Sequence, residues 1–183
     1  MRRAVFLDRD GVLNRAIVRD RKPYPPSSLE ELEIPPGTDD ACQALRAAGF
    51  LLVMVTNQPD VARGTQTRKA VEAVNQVLCS RLSLDLIKVC YHDNGDGCKC
   101  RKPQPGLLHE AAQELNVDLS SSFMIGDRWK DIEAGRRANC KTILLQSGYA
   151  EKEAQYYDHA VGSLTAAVDW ILRKTSSPEG EQE

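Results

Sequence analysis

The sequence predicts an α/β fold, a Rossmann-like doubly wound parallel sheet, carried by one domain over residues 1–175. Three observations lead there. Short apolar runs at 4–7, 50–55, 86–91, 123–126 and 142–145 alternate with helical stretches, the pattern of right-handed βαβ units. The run at 50–55 is continuously apolar, as in a strand buried on both faces. Polar and acidic residues follow directly on several of these runs, at the sheet edge where ligands of open α/β folds collect.

After the strand at 4–7, residues 14–37 are polar and Pro-rich, including Lys22-Pro23-Tyr24-Pro25-Pro26, and are expected to form an extended flap or loop. A helix over 38–48 is stopped by Gly49. The strand at 50–55 leads to a helix over 67–82 with Val71, Val74 and Leu78 on one face. The strand at 86–91 is followed by a helix opened by Pro105-Gly106 and ending at 115. The strand at 123–126 leads to a short helix over 131–138, then the strand at 142–145. Ser163 caps a last helix through 173, and the polar tail 176–183 is expected to be disordered. No insertion is large enough for a second domain, so the active face is expected to carry no large cap.

Composition narrows the classes. A chain of 183 residues buries a substantial core. A formal net charge of -2 leaves no electrostatic footprint for nucleic acid or a membrane surface, and no apolar run has the length of a bilayer span. Met1-Arg2-Arg3 leads straight into a strand, so no signal peptide is expected. A cytoplasmic monomer follows as the expectation. The six cysteines are then thiols rather than disulfides, and Cys42, Cys79 and Cys140 read as small core residues. His109 and His159 receive no catalytic role.

The chemistry concentrates at strand ends. Asp8-Arg9-Asp10-Gly11 follows the first strand, and two carboxylates so close need a compensating cation or a shared proton. The second strand ends in Thr56-Asn57-Gln58, a hydroxyl and amides able to donate to an oxyanion. Cys100-Arg101-Lys102-Pro103 places an ammonium in a defined loop, suited to phosphate. The fourth strand ends in Asp127-Arg128-Trp129-Lys130-Asp131, one acid at the tip and one in the first helical turn. Each segment alone has an ordinary structural explanation as a turn, a cap or a solvated pair; their ordered recurrence on successive strand tips does not.

Cys90, His92, Cys98 and Cys100 lie within eleven residues and match a tetrahedral Cys₃His zinc site. Such a site has no open position, so the zinc is expected to be structural, fixing the loop that delivers Arg101 and Lys102. The alternatives are a coincidental cluster of reduced thiols or zinc as the catalytic metal, which the acid-rich strand tips argue against.

As a set, Asp8-x-Asp10, Thr56, Lys102 and Asp127-x-x-x-Asp131 resemble the four motifs of the haloacid dehalogenase superfamily of phosphohydrolases, in order and across most of the chain. The resemblance implies that Asp8 attacks phosphorus and forms an aspartyl-phosphate. It implies that Asp10 protonates the leaving oxygen and later deprotonates water. Asp8, the Asp10 main-chain carbonyl and Asp127 would hold Mg²⁺, with Asp131 orienting the metal or the lysine, while Thr56 and Lys102 bind phosphoryl oxygens. Within the superfamily, the zinc loop followed by Cys-Arg-Lys-Pro is similar to two branches, the heptose bisphosphate phosphatases and the histidinol-phosphate phosphatases. Thr56-Asn57-Gln58 with Val61-Ala62-Arg63-Gly64, and Arg101-Lys102-Pro103-x-Pro105-Gly106, favour the heptose branch. The implied substrate contacts are Asn57, Gln58, Arg101 and Arg128. The expected partner is a small sugar phosphate. Two features depart from that branch, Pro59-Asp60 after the Thr-Asn-Gln segment and the long Pro-rich flap. Both bear on substrate identity rather than on fold. A 3′-phosphatase for nucleic-acid ends and a catalytically dead zinc-stabilised binding module are the remaining readings.

Overall fold

The structure, a computed structural model, describes residues 1–176. Along the chain its elements are β1 (Ala4–Leu7), the short strands β2 (Ile17–Arg19) and β3 (Lys22–Tyr24), α1 (Thr38–Ala47), β4 (Leu51–Asn57) and α2 (Arg68–Leu82). There follow β5 (Leu86–Cys90), α3 (Gly106–Leu115), β6 (Phe123–Gly126), α4 (Trp129–Arg137), β7 (Lys141–Leu145), β8 (His159–Val161) and α5 (Leu164–Ser176).

Six strands form one sheet in the order β5-β4-β1-β6-β7-β8, every pair parallel. Counting only these strands along the chain, the order is 3-2-1-4-5-6, the doubly wound arrangement with a topological switch point between its first and fourth strands. That point lies between β1 and β6, so the chain after Leu7 and the chain after Gly126 emerge side by side. The strands at the centre alternate their side chains between two cores. Val5, Leu7, Leu52, Met54 and Ile125 pack with Cys42 and Leu45 of α1, Val74 and Leu78 of α2, and Val168 and Ile171 of α5. Ala4, Phe6, Val53, Val55 and Met124 pack with Leu107, Leu108 and Ala111 of α3 and Ala134 of α4. The sheet is therefore clamped on both faces, and its carboxyl edge is held rigid for the loops it carries.

Four differences from the sequence expectation have physical reasons. The flap contains an antiparallel hairpin, β2 with β3, turned by Asp20 and Arg21, both at positive φ (50° and 59°); this is the backbone of a primed hairpin turn without the glycine or asparagine that usually signals it. The strand β8 escaped notice because a three-residue, half-exposed edge strand makes no apolar run. His159 lies in it and stacks on Trp170 of α5 with centroids 4.8 Å apart, a packing role. The strand β4 continues through Thr56 and Asn57, paired with Val89 and Cys90, because the ladder does not depend on side-chain polarity. The last helix runs through Ser176 rather than ending at 173; the remainder of the tail expected to be disordered, 177–183, lies outside the described residues.

Candidate active site

The carboxyl ends of β1, β4 and β6 and the loop after β5 meet over the switch point. They line a cleft of about 200 Å³ with Asp8, Asp10, Thr56, Asn57, Arg101, Lys102, Arg128 and Asp131, joined by Pro23, Tyr24 and Pro25 of the hairpin. The structure thus brings the polar strand-end segments of the sequence together, and the hairpin supplies a partial wall in place of a cap.

Lys102 is its electrostatic hub. The side chain is 2% exposed, and its ammonium lies 2.6 Å from both Asp8 Oδ1 and Asp131 Oδ1 while donating to the Val55 carbonyl at 2.7 Å. Burial alone would push the Lys102 pKa down, but the carboxylates of Asp131 and Asp8 outweigh it and hold the pKa up. The loop carrying it is fixed by Asn57, whose amide donates to the Lys102 carbonyl at 3.0 Å and accepts from the Lys102 N–H at 3.1 Å. Asn57, placed among substrate contacts from the sequence, is thus also the clamp of the lysine loop.

Asp8, Asp127 and Asp131 form a buried acid cluster. Burial, then Asp131, raise the Asp8 carboxyl to about 6 despite the opposing pull of Lys102. Burial, then Asp8 and Asp131, raise Asp127 well above the usual carboxylate range. Asp131 uses both oxygens, one on Lys102 and the other accepting the Arg128 N–H at 3.1 Å. Asp127 is different: neither of its buried oxygens has a well-aligned hydrogen-bond donor, the nearby Tyr149 hydroxyl only tempering its pKa. Two buried, underpartnered oxygens beside Asp8 fit a hard divalent cation such as Mg²⁺. The backbone is shaped for this approach: at Gly11, φ is +95° and an added Cβ would overlap the Asp127 carboxylate.

Asp10 is held by a network that sequence reasoning did not find. Its carboxylate accepts from Arg9 Nε at 3.1 Å, Arg9 Nη2 at 3.1 Å, Asn14 at 3.1 Å and Gln58 Nε2 at 2.8 Å. Arg9 is fully buried and donates onward to Asn75 of α2 at 2.9 Å. The x position of Asp-x-Asp gives no hint that its side chain turns inward, and Asn75 lies 66 residues away. Gln58, placed among substrate contacts by resemblance, lies behind the cleft wall. It is 1% exposed, does not line the cleft, and spends its amide on Asp10 and on Thr56 Oγ1 at 2.9 Å. Its amide thereby bridges Asp10 and Thr56 in this structure.

Arg128 lines the cleft, but its Nε donates to Glu151 Oε2 at 2.8 Å and its Nη2 pairs with Glu151 Oε1. Arg101 is held by neutral acceptors only, Asn94 Oδ1 at 3.0 Å and the His92 carbonyl at 3.2 Å. Asp60, the acid of the departing Pro59-Asp60 pair, is paired with Arg63 at 3.2 Å. Arg63 also makes a two-point contact with Asp93 and draws that carboxyl down to about 2.

Next to the cleft, Cys90, His92, Cys98 and Cys100 converge. Cys100 Sγ lies 3.2 Å from Cys90, 3.5 Å from Cys98 and 3.3 Å from His92 Nδ1, and Cys90 lies 3.8 Å from Cys98. Zinc–sulfur bonds of about 2.3 Å set tetrahedral ligand edges of about 3.8 Å, so the group is already close to the size of a zinc shell. All six cysteines are free thiols.

Comparison with known proteins points the same way. A family model described as HAD-hydrolase-like matches residues 99–167. The D-glycero-beta-D-manno-heptose-1,7-bisphosphate 7-phosphatase of Pasteurella multocida is 37% identical over 90% of this chain and 95% of its own. The D-glycero-D-manno-heptose-1,7-bisphosphate 7-phosphatase of Chlorobaculum tepidum is 37% identical over 96% of this chain and 97% of its own. Among solved structures, the D,D-heptose 1,7-bisphosphate phosphatase of B. bronchiseptica, complexed with magnesium and phosphate, superposes with a TM-score of 0.80 at 30% identity, covering 94% of this chain and 99% of that one.

Proposed function

The chain belongs to the heptose-1,7-bisphosphate 7-phosphatase family of haloacid dehalogenase-like hydrolases, and from that premise we propose that it removes the 7-phosphate of D-glycero-D-manno-heptose 1,7-bisphosphate. The observation that carries the chemistry is the buried Asp8–Lys102–Asp131 cluster beside the underpartnered Asp127. A phosphate monoester dianion would be repelled by these acids alone. Mg²⁺, held by Asp8, Asp127 and the Asp10 carbonyl, supplies when bound the positive charge that lets carboxylate and phosphate meet.

The side chains then divide the work. Asp8 Oδ1 is engaged by Lys102, and the other oxygen attacks phosphorus. The bond to the C7 oxygen breaks, and Asp10 gives that oxygen its proton. In the second half Asp10 takes a proton from water, which attacks the phosphorus of the aspartyl-phosphate and frees Asp8 with release of phosphate. Thr56 and Lys102 grip the phosphoryl oxygens, and Arg101 meets the remainder of the substrate. The Cys90, His92, Cys98 and Cys100 group takes a structural Zn²⁺ that fixes the Arg101–Lys102 loop. We read the protein as a monomer with its domain over 1–175 and a cytoplasmic location, where reduced thiols persist; among the described residues no helix is long and apolar enough to cross a membrane.

Histidinol phosphate is the weaker substrate reading, because Asp60, the acid that could have met its amine, is paired with Arg63. The test is phosphate release with Mg²⁺ from both substrates. A preference for the bisphosphate in kcat/KM of about a hundredfold, roughly 2.7 kcal/mol of transition-state discrimination, supports the proposal. The reverse preference overturns it.

A further inference from the structure

The loop between β5 and α3 contains the one Asn-Gly pair of the chain, Asn94-Gly95. An asparagine followed by glycine loses its side-chain amide most readily, because no Cβ hinders the next main-chain nitrogen as it approaches the side-chain carbonyl carbon. Three features of the structure leave that route open. Asn94 and Gly95 are both exposed, in a single 3₁₀ turn over Asn94–Asp96. A Cβ built on Gly95 would meet no atom within 4 Å, so no neighbouring segment crowds the peptide bond that must turn. Arg101 Nε donates to Asn94 Oδ1 at 3.0 Å. That oxygen gathers negative charge as nitrogen adds to its carbon, and a guanidinium already aimed at it stabilises the charge.

We propose that Asn94 is a site of spontaneous deamidation, and that the carboxylate it yields neutralises Arg101 and weakens binding of an anionic substrate. The Gly95 nitrogen bonds to the Asn94 side-chain carbonyl carbon and gives up its proton. The carbon–nitrogen bond of the side-chain amide breaks, and that nitrogen leaves with the proton as ammonia. Water then opens the cyclic succinimide at either carbonyl, giving aspartate, or isoaspartate with the main chain running through the former side chain. Water enters, ammonia leaves, and nothing is oxidised or reduced.

The consequence follows from what Arg101 touches. It now donates to two neutral oxygens, Asn94 Oδ1 and the His92 carbonyl. A carboxylate at position 94 would give it a charged partner, the kind an arginine holds most firmly. Asn94 itself lines the cleft beside Arg101, so the new charge would also face the incoming phosphates. Arg63 on the same wall already shows the paired state, held between Asp60 and Asp93. Asp8, Lys102 and Asp131 keep their mutual contacts, so the loss falls on affinity rather than on the chemical step. The effect on binding rests on the reading of Arg101 as a substrate contact; the deamidation does not.

The experiment holds the zinc-loaded enzyme in mildly alkaline buffer at physiological temperature over days, sampling peptide masses, isoaspartate content and kinetics. The peptide carrying Asn94 is expected to change from amide to acid ahead of those carrying the buried Asn14 and Asn75, with kcat/KM for heptose 1,7-bisphosphate falling in step. Freshly prepared Asn94→Asp is expected to show a KM for the bisphosphate raised by about tenfold with kcat nearly unchanged. Gly95→Ala, whose methyl meets nothing, is expected to keep full activity when fresh and to convert more slowly. Conversion at Asn94 no faster than at Asn14 and Asn75 overturns the site. An unchanged KM in Asn94→Asp overturns the effect on Arg101. A wild type with no preference for the bisphosphate over monophosphates overturns the substrate reading, and the mass change at Asn94 still decides the modification.

Discussion

At the scale of single residues, the site is a set of charges whose partners decide their roles. Asp8→Asn keeps the shape of the nucleophile and removes its charge, so turnover is expected to vanish while the fold, read by circular dichroism, persists. Gln58→Ala tests a subtler point. It removes one of the donors that aim Asp10, so kcat is expected to fall by about tenfold to a hundredfold, within the range of general acid–base catalysis. KM is expected to move little, whereas a substrate-binding Gln58 would give mainly a KM effect. Gly11→Ala forces a side chain into positive φ and into Asp127; a loss of about 1–3 kcal/mol is expected in denaturant unfolding, together with weaker Mg²⁺ binding. The acids, the hydroxyl and the lysine were legible in the sequence because each directly follows a recognisable strand or precedes a proline. Arg9, Asn75 and Glu151 were not, because their roles arise from inward rotation of a side chain or from partners many residues away.

At the scale of elements, parallel strands and their helices were readable from apolar runs and punctuation. Thr67 accepts the Ala70 N–H at the start of α2, and Gly49 follows α1 at positive φ, both ordinary boundary chemistry. The hairpin and β8 were not readable, since three-residue ladders partly exposed to solvent carry no hydrophobic period. The loop between β5 and α3 is the element on which the proposal leans most. Arg63 ties it to the loop after β4 through Asp93, and Asn57 ties it to β4 through Lys102. Its thiols and imidazole form a further anchor, beside the ion pairs of Lys102 with Asp8 and Asp131. Removing zinc by chelation, or replacing Cys98 by Ser, is expected to lower kcat/KM on the order of tenfold and to lower the melting temperature, with zinc content measured in parallel. Zinc-free protein of full activity and unchanged melting would contradict a structural role for the metal.

At the scale of the whole molecule, the doubly wound sheet concentrates negative charge at its switch point, and the metal-free protein is destabilised by it. The folded Asp8 pKa of about 6 lies above its ordinary value of 3.8, and Asp127 is shifted in the same direction. The native state therefore holds protons that the unfolded chain has released. That contribution to stability is whole below pH 3.8 and is lost as pH rises through about 6. Mg²⁺ needs the ionised carboxylates, so it is expected to raise the melting temperature strongly at about pH 7.5 and little at about pH 4.5. An equal rise at both would contradict metal binding through Asp8 and Asp127. The central claim is that Asp8 accepts the phosphoryl group of a sugar bisphosphate. Its most direct test is acid quenching of enzyme mixed with heptose 1,7-bisphosphate labelled at the 7-phosphate, followed by mapping of the protein-bound label. Labelled phosphate is expected on the peptide containing Asp8 and is expected to be absent in Asp8→Asn. Rapid turnover without any protein-bound phosphate, or label on another residue, would contradict it.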